Sequence, residues 1–594
     1  MAAERLNKIR ALAAFSPDAL SSIAYANQEI YLGLIVAGAA GLAYSWPIAL
    51  AIGSLLVILA LSYAQTIPAY PHGGGSYTVA RENLGARVGL VAAAALLIDY
   101  TLTAAVSLTA GVAAIASAFP ALWAHRVTLA LILLAIITLA NLRGVRESGT
   151  LMAIPVYFFA ASFLAMLAYG LLRAVLEGPG SFAVSAPPPT EALTTVLVLH
   201  TFASGCTALT GIEAISNGIP AFQPPESKNA RQTLIVMALL MGALFLGSIW
   251  LTQHFAVVAG SEETILSALT RRVLGRGLLY ILVQAGTLAI LAVAANTSFA
   301  GFPRLASVLA KDRFLPNQFA HLGDRLVYSN GMIVLATLTG VLIVLFQGDT
   351  HALIPLFAVG VFLAFTLSQA GMVIHWYRDR SRGWAAKALI NGLGALTTTV
   401  TLLVVAVAKF LDGAWIVLLL IPLLYAGFFA VNRHYHAIAK ELTLHGLPPS
   451  LRPLPEPRVV IPVSGVHRGV VEALRFARGI SDNVTAVYVE INPGDAERIR
   501  TEWETWGQGV QLKVVPSPYR SIVSPILEFL DETDLEHNDG QLASIILPEF
   551  VPAHWWQNLL HNQTAWLLKV AMLYRRHRHG YNRAIIDIPF YLRD

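Results

Sequence analysis

Cysteine is nearly absent. Cys206 is the only one in 594 residues, so no disulfide framework can form within the chain. Charge is scarce as well: Asp, Glu, Lys and Arg make up 13% of the sequence, where soluble domains carry roughly 25%. Glycine-rich nucleotide fingerprints are missing, and no loop has the spacing and following Lys of a phosphate-binding loop. No TVGYG-like string offers a potassium-channel filter. A cleaved leader is not expected, because the short basic start (Arg5, Lys8, Arg10) runs into one apolar stretch and then into many more.

What the chain has instead is apolar length. It is 56% hydrophobic, with a mean hydropathy of +0.63. A hydrocarbon core of ~30 Å needs ~20 apolar residues per helix. Twelve runs qualify, near 18–41, 45–66, 88–118, 126–141, 151–174, 196–219, 233–258, 277–300, 330–347, 352–377, 387–411 and 414–431, the fourth being short. Alternate loops hold most of the basic residues, among them Arg81, Arg87, Arg143, Arg146, Lys228, Arg231, Arg304, Lys311, Arg313, Arg325 and Arg378. Positive loops stay inside, which predicts a multi-pass protein of the bacterial inner membrane with both termini cytoplasmic. The net charge of +5 is then a matter of topology and membrane lipid, and no nucleic-acid polymer is expected as a partner. Arg271, Arg272 and Arg276 fall on the wrong side, and a short extracellular interfacial helix is the expected reason.

A short segment occurs twice. Ala19–Ile30 reads ALSSIAYANQEI and Ala208–Ile219 reads ALTGIEAISNGI. Ala, Leu, a hydroxyl residue, a small residue and Ile recur in order. The copies begin the first and sixth spans, and an offset of five spans reverses orientation. The expectation is an all-α inverted repeat of five plus five helices with two more at the end, the first and sixth helices broken near the midplane.

Charged residues at membrane depth are costly and mark function. Asp18 opens the first repeat, Asp99 lies deep in the third span, and Glu213 follows the expected break in the sixth. Asp99, Thr103 and Ser107 are spaced i, i+4, i+8 and so form one stripe, with Tyr100 beside it. Ser21, Ser22, Tyr25 and Thr210 add hydroxyls. Such an oxygen-rich set suits a hard cation. No Lys, Arg or His beside these acids supplies a counter-ion, so the positive charge would come from the substrate. Blander readings stand beside these: Thr103 and Ser107 bonding back to their own helix, Tyr25 and Tyr100 as packed rings, Asp18 as an N-cap after Ser16-Pro17, Cys206 as a small packed residue. No catalytic constellation is visible, and the chain reads as a transporter rather than an enzyme, with no cofactor.

The segment YPHGGGSYTVARENLG (Tyr70–Gly85) reads as part of an inner gate or as a flexible connection, and His72 as a lone histidine without a metal. From about Arg458 the composition changes, after a Pro-rich stretch. The expected domains are a transporter over 1–435, a linker over 436–457 and a cytoplasmic α/β domain over 458–594. In the last, VVIPV, TAVYVEI, VQLKVV, SIILPEF and AIIDIPF alternate with helices starting at His467, Asp495 and Pro518 and with one running from Trp555 to Tyr574. That pattern predicts a doubly wound parallel sheet. PEFVPAHWWQNLLHNQTAWLLK is expected to pack, and Arg575–His579 to form a solvated basic turn.

With these residues in view, the chain resembles the amino acid–polyamine–organocation superfamily, and within it the KimA-type potassium importers of the Kup-related group. The strings that carry the likeness are SPDALSSIAYANQEI, HGGGSYTVARENLG, LLIDYTLTAAVS, TALTGIEAISNG, IPLFAVGVFLAFTLSQAGM and PEFVPAHWW–HNQTAWLL, which together reach across nearly the whole chain. The resemblance implies a LeuT-like fold, a homodimer held partly by cytoplasmic domains, potassium import coupled to protons by alternating access, and inhibition by cyclic di-AMP. It implies a potassium and proton site of Asp18, Tyr25, Asp99, Tyr100, Thr103, Ser107, Thr210 and Glu213. Where the family often has Tyr in the tenth span, this chain has Phe357, which keeps a ring at the gate and loses a hydroxyl. An amino acid or polyamine permease on the same scaffold is the alternative.

Overall fold

The computed structural model describes residues 5–144, 149–260, 262–323, 327–445, 455–492, 494–518, 520–554, 557 and 563–592. Arg146, Arg325, most of the Pro-rich stretch before Pro455, Trp555, Trp556 and residues 558–562 lie outside them, and so do the expectations placed there. The chain divides into two compact units, 1–443 and 444–594.

The first unit is helical. Among the described residues, ten helices are long and apolar enough to cross a membrane. They coincide with ten of the twelve expected runs. The first and ninth runs correspond to the shorter helices Pro17–Ile35 and Ser329–Leu345. Ala86–Ala118 is the most enclosed of the long helices. Ala92, Ala93, Ala94 and Ala95 are fully buried there, and such small side chains let neighbouring backbones approach. The helix Trp415–Glu441 continues past residue 436, into the stretch expected to be linker.

The two expected breaks differ. Pro17–Ile35 is continuous, so the first copy of the repeat is wholly helical. The break lies just before it, at Ser16, where the helix Lys8–Phe15 ends. The reason is local. Pro17 has no N–H and its ring opposes a continuing helix, while it suits the first position of a new one. Ser21 and Ser22 are accommodated by donating to Asp18 O at 3.0 Å and Ala19 O at 2.8 Å. In the sixth run the break is real. Thr195–Gly205 tightens into a 3-10 turn over Cys206–Leu209, Thr210 is extended, and Gly211 has φ +78° before the short helix Ala214–Asn217. A positive φ of this kind favours glycine.

Arg271 and Arg272 lie on an amphipathic helix, Ile265–Leu274. Glu263 pairs with Arg271 at 2.9 Å, and Glu177 accepts from Arg272 at 2.8 Å and from Arg173 Nε at 2.7 Å. Acids from adjacent segments thus offset the two arginines that broke the loop pattern.

The second unit is a five-stranded parallel sheet of β1 (Val459–Val463), β2 (Val484–Glu490), β3 (Gln511–Pro516), β4 (Ser544–Val551) and β5 (Ile585–Tyr591), in the order β3-β2-β1-β4-β5. Strands covered on both faces read as continuous apolar runs. Here Ile461 and Ala486 fill one core and Val460 and Val487 the other. His467 caps the helix Arg468–Arg478, its Nδ1 accepting from Val470 N at 3.3 Å. The third helix starts at Val523, later than Pro518. The last covers Thr564–His579, so the basic run is not a turn. It forms the end of a helix, where positive charge meets the carbonyl pole, and Arg575 pairs with Asp531.

Candidate functional site

The two breaks meet. A Cβ added at Gly211 would come within 2.5 Å of Ala19 N and 2.9 Å of Asp18 Oδ2. Ser22 Oγ also lies 3.2 Å from Ala208 O, across the same junction. The two copies therefore touch reciprocally, the first position of each against the fourth of the other, and Asp18, in the first turn of its helix, faces the unwound stretch. Asp18 Oδ1 is buried with no hydrogen-bond partner, so this atom caps nothing.

Ala86–Ala118 brings the stripe. Asp99, Thr103 and Ser107 are 5%, 3% and 1% exposed. Asp99 Oδ1, Thr103 Oγ1 and Ser107 Oγ have no partner. Their neighbours on the same helix behave as hydroxyls ordinarily do: Thr101 donates to Leu97 O at 2.9 Å and Thr109 to Ala105 O at 3.0 Å. Thr103 and Ser107, by contrast, make no such bond back to their own helix.

Glu213 is 8% exposed and its Oε2 is likewise without a partner. Asp99 lies within Coulombic range of Glu213 and Asp18. Tyr25 is in range of Asp18 and Asp99 and neighbours the Thr210 side chain. Tyr100 is in range of all three acids, and its ring packs against Gly301 of the helix Leu278–Lys311. Asp18, Tyr25, Asp99, Tyr100, Thr210 and Glu213 thus come together, and Thr103 and Ser107 continue the Asp99 face of their helix. Among the described residues no ion pair involves Asp18, Asp99 or Glu213. Arg304 is exposed and is felt by Tyr100, and His200, also in the sixth run, pairs instead with Asp412 at 2.6 Å. Three buried acids without a basic partner leave the site electronegative, a surrounding that only a bound cation or protons offset. Phe357 is fully buried one turn from Gly360, where an added Cβ would lie 3.2 Å from Ala95 O and 3.9 Å from Asp99 Cβ. Cys206 is buried at the start of the 3-10 turn, and His72 is exposed. Among the described residues no His, Cys, Asp and Glu cluster of three has metal-binding geometry.

One cavity leads toward these residues. A cavity of about 470 Å³ reaches from Tyr25 past Gln28, Glu29 and Thr109 to Glu263 and His351. Glu29 is 1% exposed and its Oε2 accepts from His351 Nδ1 at 2.7 Å. Sequence reasoning passed over Glu29, although a Glu inside an apolar run was the available signal. At the other end the chain is closed. Leu6 N donates to Ala221 O at 2.7 Å and Gln223 N to Leu6 O at 2.9 Å. Phe15 stacks on Phe222 with centroids 5.7 Å apart. Gly74 N donates to Ser216 O at 2.9 Å, so the glycine-rich segment is a fixed strap over the sixth run rather than a loose connection. Tyr77 donates to Asp312 at 2.9 Å, and Arg81 pairs with the same carboxylate.

A bundle of apolar helices around two touching helix breaks, with buried carboxylates and a cavity that reaches Tyr25, defines a membrane permease. Residues 11–429 match the amino acid permease family. Residues 455–585 match the KimA potassium transporter C-terminal domain. The chain is 41% identical over 577 residues to potassium transporter KimA of Bacillus subtilis (strain 168), covering 96% of this chain and 94% of that one. The chain belongs to the KimA family of potassium transporters, within the amino acid permeases.

Proposed function

We propose that this chain imports potassium together with protons, by alternating access around the cage of Asp18, Tyr25, Asp99, Tyr100, Thr103, Ser107, Thr210 and Glu213. The observation that carries the reading is the set of buried, unpartnered oxygens on Asp18, Asp99, Thr103, Ser107 and Glu213. Hydroxyl and carboxylate oxygens replace the water of a partly dehydrated ion, Asp99 and Asp18 supply negative charge, and Glu213 carries the proton. The cavity at Tyr25 is the outer vestibule and the strapped end is cytoplasmic, as the basic loops require. The five-plus-five inverted repeat, with two further helices, then rocks around the site. At ~100 mV, inside negative, each charge entering gains roughly 2.3 kcal/mol, and two charges double it.

The second unit is the regulatory and dimerisation domain, which binds cyclic di-AMP and lowers transport. The match of residues 455–585 to the KimA C-terminal domain supports this reading. The match to amino acid permeases keeps a second substrate class in play, an amino acid or polyamine. The acids around Asp99 oppose a carboxylate at that place. Expression in a potassium-uptake-deficient cell decides between them. Growth at low potassium with rubidium uptake is expected. Absence of rescue, with uptake competed by amino acids or polyamines, overturns the potassium reading.

A further inference from the structure

The turn between the helices Thr350–Asp379 and Trp384–Ala408 gathers positive charge that its surroundings do not balance. Both helices are of spanning length, and residues 380–383 join them, so the turn lies where two spans leave the hydrocarbon. It stands at the strapped end: Trp376 packs with Tyr70 and Val79, and the His375 and Tyr70 rings have centroids 5.3 Å apart. Arg378, Arg380 and Arg382 are exposed, and Lys387 lies in the first turn of the second helix. Elsewhere at this end basic residues are answered, Arg5 by Glu226 at 2.5 Å and Arg81 by Asp312. Among the described residues no ion pair involves Arg378, Arg380, Arg382 or Lys387. Two acids stand near, Asp379 and Glu82, both in Coulombic range of His375, and the four basic side chains outnumber them.

Aromatic rings hold two of these cations in place. The Arg380 guanidinium carbon lies 4.8 Å from the centroid of the Tyr377 ring and 5.1 Å from that of Trp384. Lys387 Nζ lies 4.2 Å from the centroid of Trp376 and donates to Ser381 Oγ at 3.4 Å. A cation over a ring is positioned without using up its N–H donors. Arg380 Nε donates to Tyr377 O at 3.3 Å, and its terminal nitrogens have no partner among the described residues. Trp376 Nε1 is buried beside Lys387 and is likewise unpartnered. A tight turn, with φ +51° at Arg380 and +76° at Gly383, sets the Tyr377 and Trp384 rings 6.0 Å apart. Tyr377 is 58% exposed and Trp384 partly so. Tyr and Trp favour the head-group level of a bilayer, where one end of the ring is apolar and the other wet.

Fixed donors around uncompensated positive charge suit an oxyanion, and Arg presents a fork that matches phosphate. Depth selects which oxyanion. A turn pinned between two spans and edged by Tyr and Trp lies among lipid phosphates, and basic clusters at the end of a span attract anionic lipid. We infer that Arg378, Arg380, Arg382 and Lys387 form a binding site for the phosphate head group of an anionic phospholipid, with Tyr377 and Trp384 seated at the edge of its acyl chains. The orientation proposed above puts this site in the cytoplasmic leaflet. The site does not depend on which substrate the chain carries. The helix Thr350–Asp379 also bears Gly360, beside Ala95 and Asp99, so the lipid fixes the end of a helix that borders the cage.

The test titrates the full-length protein in detergent with phosphatidylglycerol, phosphatidylethanolamine or inorganic phosphate, reading retained lipid by native mass spectrometry and the melting temperature alongside. The wild type is expected to retain phosphatidylglycerol in preference to phosphatidylethanolamine, and to melt higher with phosphatidylglycerol but not with inorganic phosphate. The double variant Arg380→Gln with Arg382→Gln should bind phosphatidylglycerol roughly thirtyfold more weakly, about fivefold for each basic residue lost. Arg276→Gln removes the same charge from an exposed site near the amphipathic helix Ile265–Leu274 and should match the wild type. Equal retention by the double variant and the wild type overturns the site. An equal loss in Arg276→Gln also overturns it, since overall charge then accounts for the binding. Equal stabilisation by inorganic phosphate overturns the lipid as occupant and leaves a site for a free anion. If the double variant fails to fold, Arg382→Gln decides alone, because that side chain is exposed and lies over no ring: about fivefold weaker binding supports the site, and unchanged binding overturns it.

Discussion

Gly211→Ala probes the junction on which the whole site depends. Gly211 sits at φ +78°, where a residue with a Cβ is disfavoured by roughly 1–2 kcal/mol. The new methyl would also lie 2.5 Å from Ala19 N and 3.0 Å from Ala19 Cα, both backbone atoms at the start of a helix. A backbone cannot swing aside as a side chain does, so the helix Pro17–Ile35 must move away from the break, with an overpacking cost of about 1–3 kcal/mol. The two terms together come to about 2–5 kcal/mol. Even the lower end lowers the folded-to-unfolded ratio roughly thirtyfold. The same displacement moves Asp18, whose Oδ2 faces the methyl at 2.9 Å. Gly211→Ala is therefore expected to lower the melting temperature in detergent by several degrees and, by displacing Asp18, to lower rubidium uptake. The control is Gly242→Ala, where the nearest atom to the added Cβ is a Leu56 methyl at 3.8 Å and no effect is expected. Wild-type melting and uptake in Gly211→Ala would refute the contact between the two breaks.

Asp99→Asn and Glu213→Gln are each expected to abolish potassium accumulation while the protein still reaches the membrane and elutes as a folded species, and normal uptake in either variant rejects its place in the cage. Thr103→Val and Ser107→Ala leave folding intact, because neither hydroxyl bonds within its helix, and raise the half-saturating potassium concentration by roughly tenfold; Thr109→Val, whose hydroxyl bonds back to Ala105 O, serves as the contrast and changes uptake little. Burial holds the His467 imidazole below its usual 6.5, and its neutral form is the one that accepts from Val470 N. A depressed folded value means that its contribution is present above about pH 6.5 and is lost as pH falls below that; hydrogen exchange at the start of the helix Arg468–Arg478 should therefore speed up between pH 7.5 and pH 5.5 beyond the intrinsic chemistry, and a His467→Asn variant should lose that acid sensitivity. For the regulatory domain, calorimetry on the full-length protein is expected to detect cyclic di-AMP, and rubidium uptake in liposomes to fall when it is bound; no heat and no change in uptake reject the assignment.

The membrane helices were legible because lipid imposes one rule on composition. A run of about 20 apolar residues has few other uses, and ten of the twelve expected runs are helices of spanning length. The strands of the second unit were legible for a related reason, since continuous Val and Ile between turn residues marks a strand buried on both faces. Asp99, Thr103 and Ser107 could be read as a stripe because i, i+4 spacing fixes a face of a helix before any partner is known. Helix interruption was harder. The first copy of the repeat looked like a break and is continuous, because a Ser-Ser pair satisfies itself on the preceding carbonyls while Pro17, two residues before the copy, does the breaking.

Sequence alone therefore determined a polytopic membrane protein, a parallel α/β domain behind it, and three acids placed where lipid forbids them. Each follows from short-range rules: hydropathy, period, and the cost of an ion in hydrocarbon. Only the tertiary structure decided that Asp18, Asp99 and Glu213 lie within Coulombic range of one another, that Glu29 meets His351, and that the glycine-rich segment is a strap. Those facts depend on which helices touch. Residues like Glu29 and His351, hundreds of positions apart, carry no mark of their neighbours until the chain has packed.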